Sequence, residues 1–214
     1  MQLPCAHPPP PPSSALWARA GDAGHSHVLL WLLGRAARLT DGDATIVVLS
    51  GIGDDDAAHL AAALMADATV TSLSLRGGQL GDEGVARLAE ALKVNTTMTT
   101  LDLTGNLFSA VGTSHLAEAL AANTTLTKLD IGSNLIGNVG IGHLAEALRS
   151  NTTLAFLGVG YSGIGAVGAQ VLDALSVGSL DALDLQLNHL TLDSDRATLD
   201  LLRQAWGDRP GLYL

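Results

Sequence analysis

Four consecutive segments of this 214-residue chain repeat one another at a fixed spacing. They begin at Val70, Met98, Leu126 and Leu154, each 28 residues after the last, and the next start, Leu180, follows after 26. Each segment has two halves. The first alternates apolar and polar residues, as in Leu101-Asp102-Leu103, which is strand periodicity. The second spaces its leucines four apart, as in Leu116 and Leu120, which places them on one helix face. One strand and one helix cannot bury such leucines alone, so units of this kind stack and share a continuous core. The expected fold class is therefore α/β. It is a solenoid in a right-handed arc, with a parallel sheet on the concave face and helices on the convex face.

Weaker copies extend the array. Ile52, Gly53, Leu60 and Leu64 align with Leu80, Gly81, Leu88 and Leu92, so residues 42–69 read as a degenerate first unit with Thr45-Ile46-Val47 as its strand. Leu183-Asp184-Leu185 opens a later unit whose helix is expected at Leu199–Trp206, and residues 212–214 resemble one last strand. The repeat domain thus spans 42–214. Residues 1–14, with the run Pro8–Pro12, read as an extended Pro-rich arm. Residues 15–41 read as an N-terminal helical cap over the first repeat, since terminal repeats need covering. Trp31 and Trp206 are expected to serve the two ends. Gly84, Gly112, Gly140 and Gly168 are expected just before each helix. Asn-Thr-Thr at 95, 123 and 151 is expected to close it, through side chains that bond nearby backbone. These asparagines fit the glycosylation-acceptor rule, but the recurrence of the turn already explains their recurrence.

The pattern L-x-x-L-x-L-x-x-N-x-L recurs in the units that begin at Met98 (Met for the first Leu), Leu126 and Leu180. In a 28-residue strand–helix unit it resembles the leucine-rich repeats of the ribonuclease-inhibitor-like subfamily. Such repeats also occur in Ran GTPase-activating protein, nucleotide-binding immune receptors and actin-capping tropomodulins. The resemblance covers residues 42–214. It implies that Asn106, Asn134 and Asn188 turn inward and bond backbone groups of neighbouring turns. The ladder is interrupted at Ser50, Gly78 and Ser162, where the two hydroxyls substitute in part and Gly78 cannot. It also implies a non-catalytic protein–protein interaction scaffold that uses its concave face. The alternative is a GTPase-activating regulator of a Ran-type small GTPase, for which Arg76 is the one strand arginine.

The residues expected to meet a partner are Arg76, Asp102, Lys128, Asp130 and Asp184 on the strands, with Phe156 and Tyr161 as aromatic anchors. Strands about 4.8 Å apart set Asp102 beside Asp130. That column is either an acidic stripe for a partner's Lys or Arg, or a solvated surface offset by Lys128.

Composition narrows the function. Hydrophobic residues make up 47% of the chain and aromatics only 3%, so the core is built from Leu, Val, Ile and Ala. The net charge is −10, and beyond residue 40 there are 8 basic against 20 acidic residues. Such a body repels phosphate backbones, so the partner is expected to be a protein and not a nucleic acid. Cys5 is the only cysteine, which excludes an intrachain disulfide and a Cys-based metal site. Val28–Leu33 is far shorter than the roughly 20 residues of a membrane helix, and the N-terminus lacks the order of a signal peptide. His115 and His143 sit on neighbouring helices about 8–10 Å apart, too far to share a metal. No nucleophile has a base at recognisable spacing, and there is no phosphate loop. The expectation is a cytoplasmic monomer without cofactor or enzymatic activity.

Overall fold

The computed structural model describes residues 15–19, 45–168, 180–188, 196–208 and 210–214. Eight strands form one parallel sheet in strict sequence order. They are β1 (Ala15–Arg19), β2 (Thr45–Ser50), β3 (Val70–Ser74), β4 (Thr100–Asp102), β5 (Lys128–Asp130), β6 (Phe156–Gly158), β7 (Ala182–Asp184) and β8 (Leu212–Tyr213). The described helices are α1 (Asp54–Ala66), α2 (Asp82–Val94), α3 (Ala110–Ala122), α4 (Gly137–Leu148) and α5 (Arg196–Trp206). Helices α1 to α4 pack one on the next. This is the expected solenoid. In-register pairing stacks Leu73, Leu101, Leu129, Leu157 and Leu183 into a single buried column. The leucines four apart on the helices, such as Leu116 and Leu120, close on it from the other side. Phe108, the one aromatic residue of the unit that starts at Met98, is fully buried in this core.

Side chains that cross from one unit to the next satisfy the backbone of the turns. Asn123 is the pattern for the convex corner. Its Nδ2 donates to the carbonyls of Leu92 (2.8 Å) and Asn95 (3.2 Å), and its Oδ1 accepts from the N–H groups of Thr125 (2.9 Å) and Leu126 (2.7 Å). Asn95 and Asn151 repeat the arrangement on the carbonyls of Leu64 and Leu120. Local bonding was the expectation for these residues; the reach back across a whole unit is the additional finding. All three are buried, which leaves no room for a glycan on the folded chain.

A second set of bridges joins helix starts. Asp54 Oδ1 accepts from the N–H groups of Gly81 (2.7 Å) and Gly84 (3.0 Å) of the following unit. Asp82 accepts from the Ser109 N–H (2.7 Å), the Ser109 hydroxyl (2.8 Å) and the Gly112 N–H (2.8 Å). Each carboxylate thus caps its neighbour's helix as well as favouring its own N-terminus. The recurring glycines follow from this. Gly84, Gly112 and Gly140 lie inside the first helical turn and not before it. A Cβ on Gly112 would stand 2.8 Å from Asp82 Oδ1 and 2.9 Å from Phe108 Cβ, so only glycine lets the two helix starts come this close.

The sequence reading needs correction at the first unit. Strand β2 pairs at an offset of 26, with Val47 opposite Leu73 and Val48 opposite Ser74, whereas the helices keep the offset of 28. The loop after β2 is therefore two residues shorter, and that register carries Ser50 to the column of Arg76. Ser50 is exposed and does not stand in for the pattern Asn. Residues 15–19, assigned above to the start of a helical cap, form a strand parallel to β2. The helical stretch expected further along, with Trp31, and the Pro-rich arm lie outside the described residues. At the other end Trp206 is buried, and its Nε1 donates to the Pro210 carbonyl (3.2 Å).

Replacing Asn123 with Ala strands two buried carbonyls and two N–H groups, and is expected to lower unfolding free energy by about 3 kcal/mol in urea titration. Loss of under ~1 kcal/mol would show that these bridges are dispensable. Asp82 carries a pH signature. Burial works to raise its pKa, but the bonds from Ser109 and Gly112 outweigh it and hold the carboxyl below its ordinary range. Its stabilisation is therefore complete above the unfolded-state pKa and is lost as pH falls through the lower folded value. The gap in stability between wild type and Asp82→Ala, about 1–2 kcal/mol at pH 7, is expected to close below about pH 4.

Candidate functional site

Short strands followed by tight turns leave two surfaces free, the concave sheet and the margin where strands pass into helices. On the sheet, register places Ser74, Asp102, Asp130, Gly158 and Asp184 in one column. Two basic side chains of this face are already engaged. Arg76 Nη1 lies 3.6 Å from Asp102 Oδ2, which also accepts from the Ser74 hydroxyl (3.3 Å). Lys128 Nζ sits 4.8 Å from the centre of the Phe156 ring, within cation–π range, and Phe156 is half-buried.

The aspartates each close their own turn. Oδ1 of Asp102, Asp130 and Asp184 accepts from the N–H of Thr104 (3.0 Å), Gly132 (3.2 Å) and Gln186 (2.9 Å). Among the described residues neither Asp130 nor Asp184 has a cation within 4.0 Å. Asp130 leans over the glycine between them, its Oδ1 2.6 Å from where a Cβ on Gly158 would be. Asp184 borders Gly160, its Oδ1 3.5 Å from the corresponding point.

The inward asparagines hold this face in shape. Asn106 Nδ2 donates to Leu75 and Leu103 carbonyls (2.9 and 2.8 Å), and its Oδ1 accepts from the Leu80 N–H (3.2 Å). Asn188 donates to Val159 and Leu185 (2.9 and 2.8 Å) and accepts from Ser162 and Ile164 (2.9 and 3.0 Å). Asn134 donates to Leu103, Ile131 and Gly132, but its Oδ1 is buried and unpartnered among the described residues. At the interruptions, the Ser162 hydroxyl bonds the Gly160 carbonyl (3.1 Å), a partial substitute. Gly78 is occupied differently. A Cβ there would meet Asn106 Oδ1 at 2.7 Å and the Ile52 carbonyl at 2.8 Å, so the neighbour's amide fills the space.

The turn margin carries what the strand pattern does not predict. Leu107, Leu135, Tyr161 and Leu187 are all exposed there, the last three at 71%, 67% and 79%. Val111, Val139 and Val167, equivalent positions in the first helical turns, are exposed beside them in sequence. Leu135, Tyr161 and Leu187 line a shallow depression of about 550 Å³, together with Asn134, Ser162 and Asn188. Tyr161, expected as an anchor, thus belongs to this margin, whereas Phe156 belongs to the sheet. The signal was present in the sequence as apolar residues recurring at loop positions the pattern leaves open.

Backbone conformation sets these residues apart. The column 77, 105, 133, 161, 187 has positive φ throughout: Gly77 63°, Gly105 70°, Ser133 56°, Tyr161 53°, Leu187 55°. Glycine adopts this geometry freely; a bulky L-residue pays roughly 1–2 kcal/mol for it. The chain uses glycine or serine at the first three of these positions, then places Tyr and Leu where both strain and exposure count against them. Strain of this kind concentrates at functional positions.

Three segments, residues 66–89, 94–117 and 122–145, match the family model for the leucine-rich repeat. Two solved structures are similar in fold. One is the leiomodin-1 actin-binding site 2, with a TM-score of 0.55 and 24% identity over 71% of this chain and 88% of that one. The other is the C-terminal domain of Caenorhabditis elegans tropomodulin, with a TM-score of 0.57 and 13% identity over 82% and 98%. No curated protein matches the sequence. The chain carries leucine-rich repeats and folds as a leucine-rich-repeat solenoid. Among the described residues, no helix is long and apolar enough to cross a membrane, and no three His, Cys, Asp or Glu side chains cluster to hold a metal.

Tyr161→Gly and Leu187→Gly are each expected to raise unfolding free energy by about 1 kcal/mol, because they relieve a left-handed backbone whose side chain is largely exposed. Chemical denaturation measures it. A loss of stability in both would mean that these side chains hold the fold together.

Proposed function

We propose that this solenoid is a non-catalytic protein-binding module whose partner seats on the concave face and the adjoining turn margin. The observation that carries the reading is the set of large apolar side chains, Leu135, Tyr161 and Leu187, held exposed around one depression, the last two at a cost to backbone energy. Side chains of this kind dominate interface energies. The acidic body supports a protein partner over nucleic acid. The 28-residue strand–helix unit supports placement in the ribonuclease-inhibitor-like subfamily. The leiomodin-1 site of similar fold is an actin-binding site, so actin is the first protein to look for. The GTPase-activating alternative has less support, since Arg76 is drawn toward Asp102.

Affinity capture from the source cell, wild type beside Phe156→Ala/Tyr161→Ala, tests the proposal. The expected result is a defined set of proteins on the wild type that falls by about tenfold on the double variant, the effect of removing interface anchors. Equal capture by both proteins overturns it.

A further inference from the structure

The proposed module leaves the chemistry of its partner open, and the charges around the depression narrow it. The described loop residues that form it are neutral: no charged residue occurs in 131–142, 156–168 or 185–188. Carboxylates stand at its approach on the sheet side. Asp184 abuts Gly160, the residue before Tyr161, and Asp130 stands at the start of the turn that leads to Leu135. One oxygen of each closes a turn, and neither has a cationic partner among the described residues. Two cations of this face are already used, Arg76 by Asp102 and Lys128 by the Phe156 ring. Adjacent strands are about 4.8 Å apart, so Asp130 and Asp184, two strands apart, stand about 9–10 Å from each other across Gly158. Gly158 has no side chain of its own, and the Asp130 carboxylate leans into that space, its Oδ1 2.6 Å from the Cβ position, so it is turned toward the strand that carries Asp184.

We infer that the depression receives an apolar side chain of a partner segment in which Lys or Arg flanks that anchor, the basic groups reaching Asp130 and Asp184. The inference rests on the protein-binding reading and specifies its partner. Apolar contact supplies the anchoring, and the carboxylates supply selection and faster encounter. The repeats' net negative charge repels acidic competitors over a longer range.

A phage-displayed library of random dodecapeptides, selected on the full chain, tests this. The expected consensus has one aromatic or aliphatic residue with Lys or Arg within a few positions. Fluorescence titration of the selected peptide then gives affinities. Leu135→Ser and Leu187→Gly are each expected to weaken binding by about tenfold. Asp130→Asn/Asp184→Asn, which keeps the turn acceptors, is expected to weaken it similarly and to flatten its dependence on salt. Thermal melting separates binding from folding, because Leu187→Gly keeps or raises the melting temperature while losing the peptide. Acidic or uncharged consensus sequences, no enrichment, or unchanged binding by the Asp variant overturns the inference. The protein-binding reading stands or falls separately, on whether the Phe156→Ala/Tyr161→Ala variant loses its captured proteins.

Discussion

Every unit of this fold depends on polar side chains that reach across to the backbone of the unit before or after it. Leucines stacked in register supply the apolar driving force, but a stack of short strands and tight turns leaves many N–H and C=O groups facing inward, and each unpaired one costs about 1–3 kcal/mol. Three columns answer this: Asn95, Asn123 and Asn151 at the helix ends, Asn106, Asn134 and Asn188 after the strands, and Asp54 and Asp82 at the helix starts. All of them bond groups roughly one unit away, which ties stability to nearest neighbours. Carboxamides suit the inner positions because each both donates and accepts without a charge to desolvate.

Much of this was legible in the sequence, and the reason is physical. Periodic packing forces periodic residues, so the strand and helix halves and the leucine column could be read from spacing, and the inward asparagines followed from the family resemblance. The readings that changed lie where the period breaks. The loop after β2 is two residues short, so alignment by helix placed Ser50 in the wrong column. The helix-end asparagines were read as local caps, because a turn motif does not show how far its side chain reaches. The candidate site was half legible. Strand alternation identified the aspartate column, Lys128 and Phe156, but exposed Leu135 and Leu187 occupy positions where the pattern allows anything. Apolar recurrence at such positions looks like core until the geometry shows it facing outward.

The same logic explains why the depression forms in the later units. Where the post-strand residue is glycine, at Gly77 and Gly105, the turn is relaxed and bare. Replacing it by Tyr161 and Leu187 leaves the backbone path unchanged, since φ stays near +55°. The scaffold holds that path by bonds on both flanks: the Tyr161 N–H donates to the Gln186 carbonyl (2.8 Å), and the Ser162 N–H donates to Asn188 Oδ1 (2.9 Å). An over-determined turn can carry an unfavourable residue without unfolding.

Rigidity of this kind matters for recognition more than the number of exposed apolar atoms. A side chain on a mobile loop loses part of its contact energy to ordering when a partner arrives, whereas one fixed by a bonded backbone loses little. Tyr161 and Leu187 stand on turns that the neighbouring unit has already ordered. The stability given up at those two positions and the pre-organisation gained by them therefore come from the same hydrogen bonds. A solenoid obtains this directly, because stacking that satisfies the core also fixes every turn on its margin, whichever residue the turn carries.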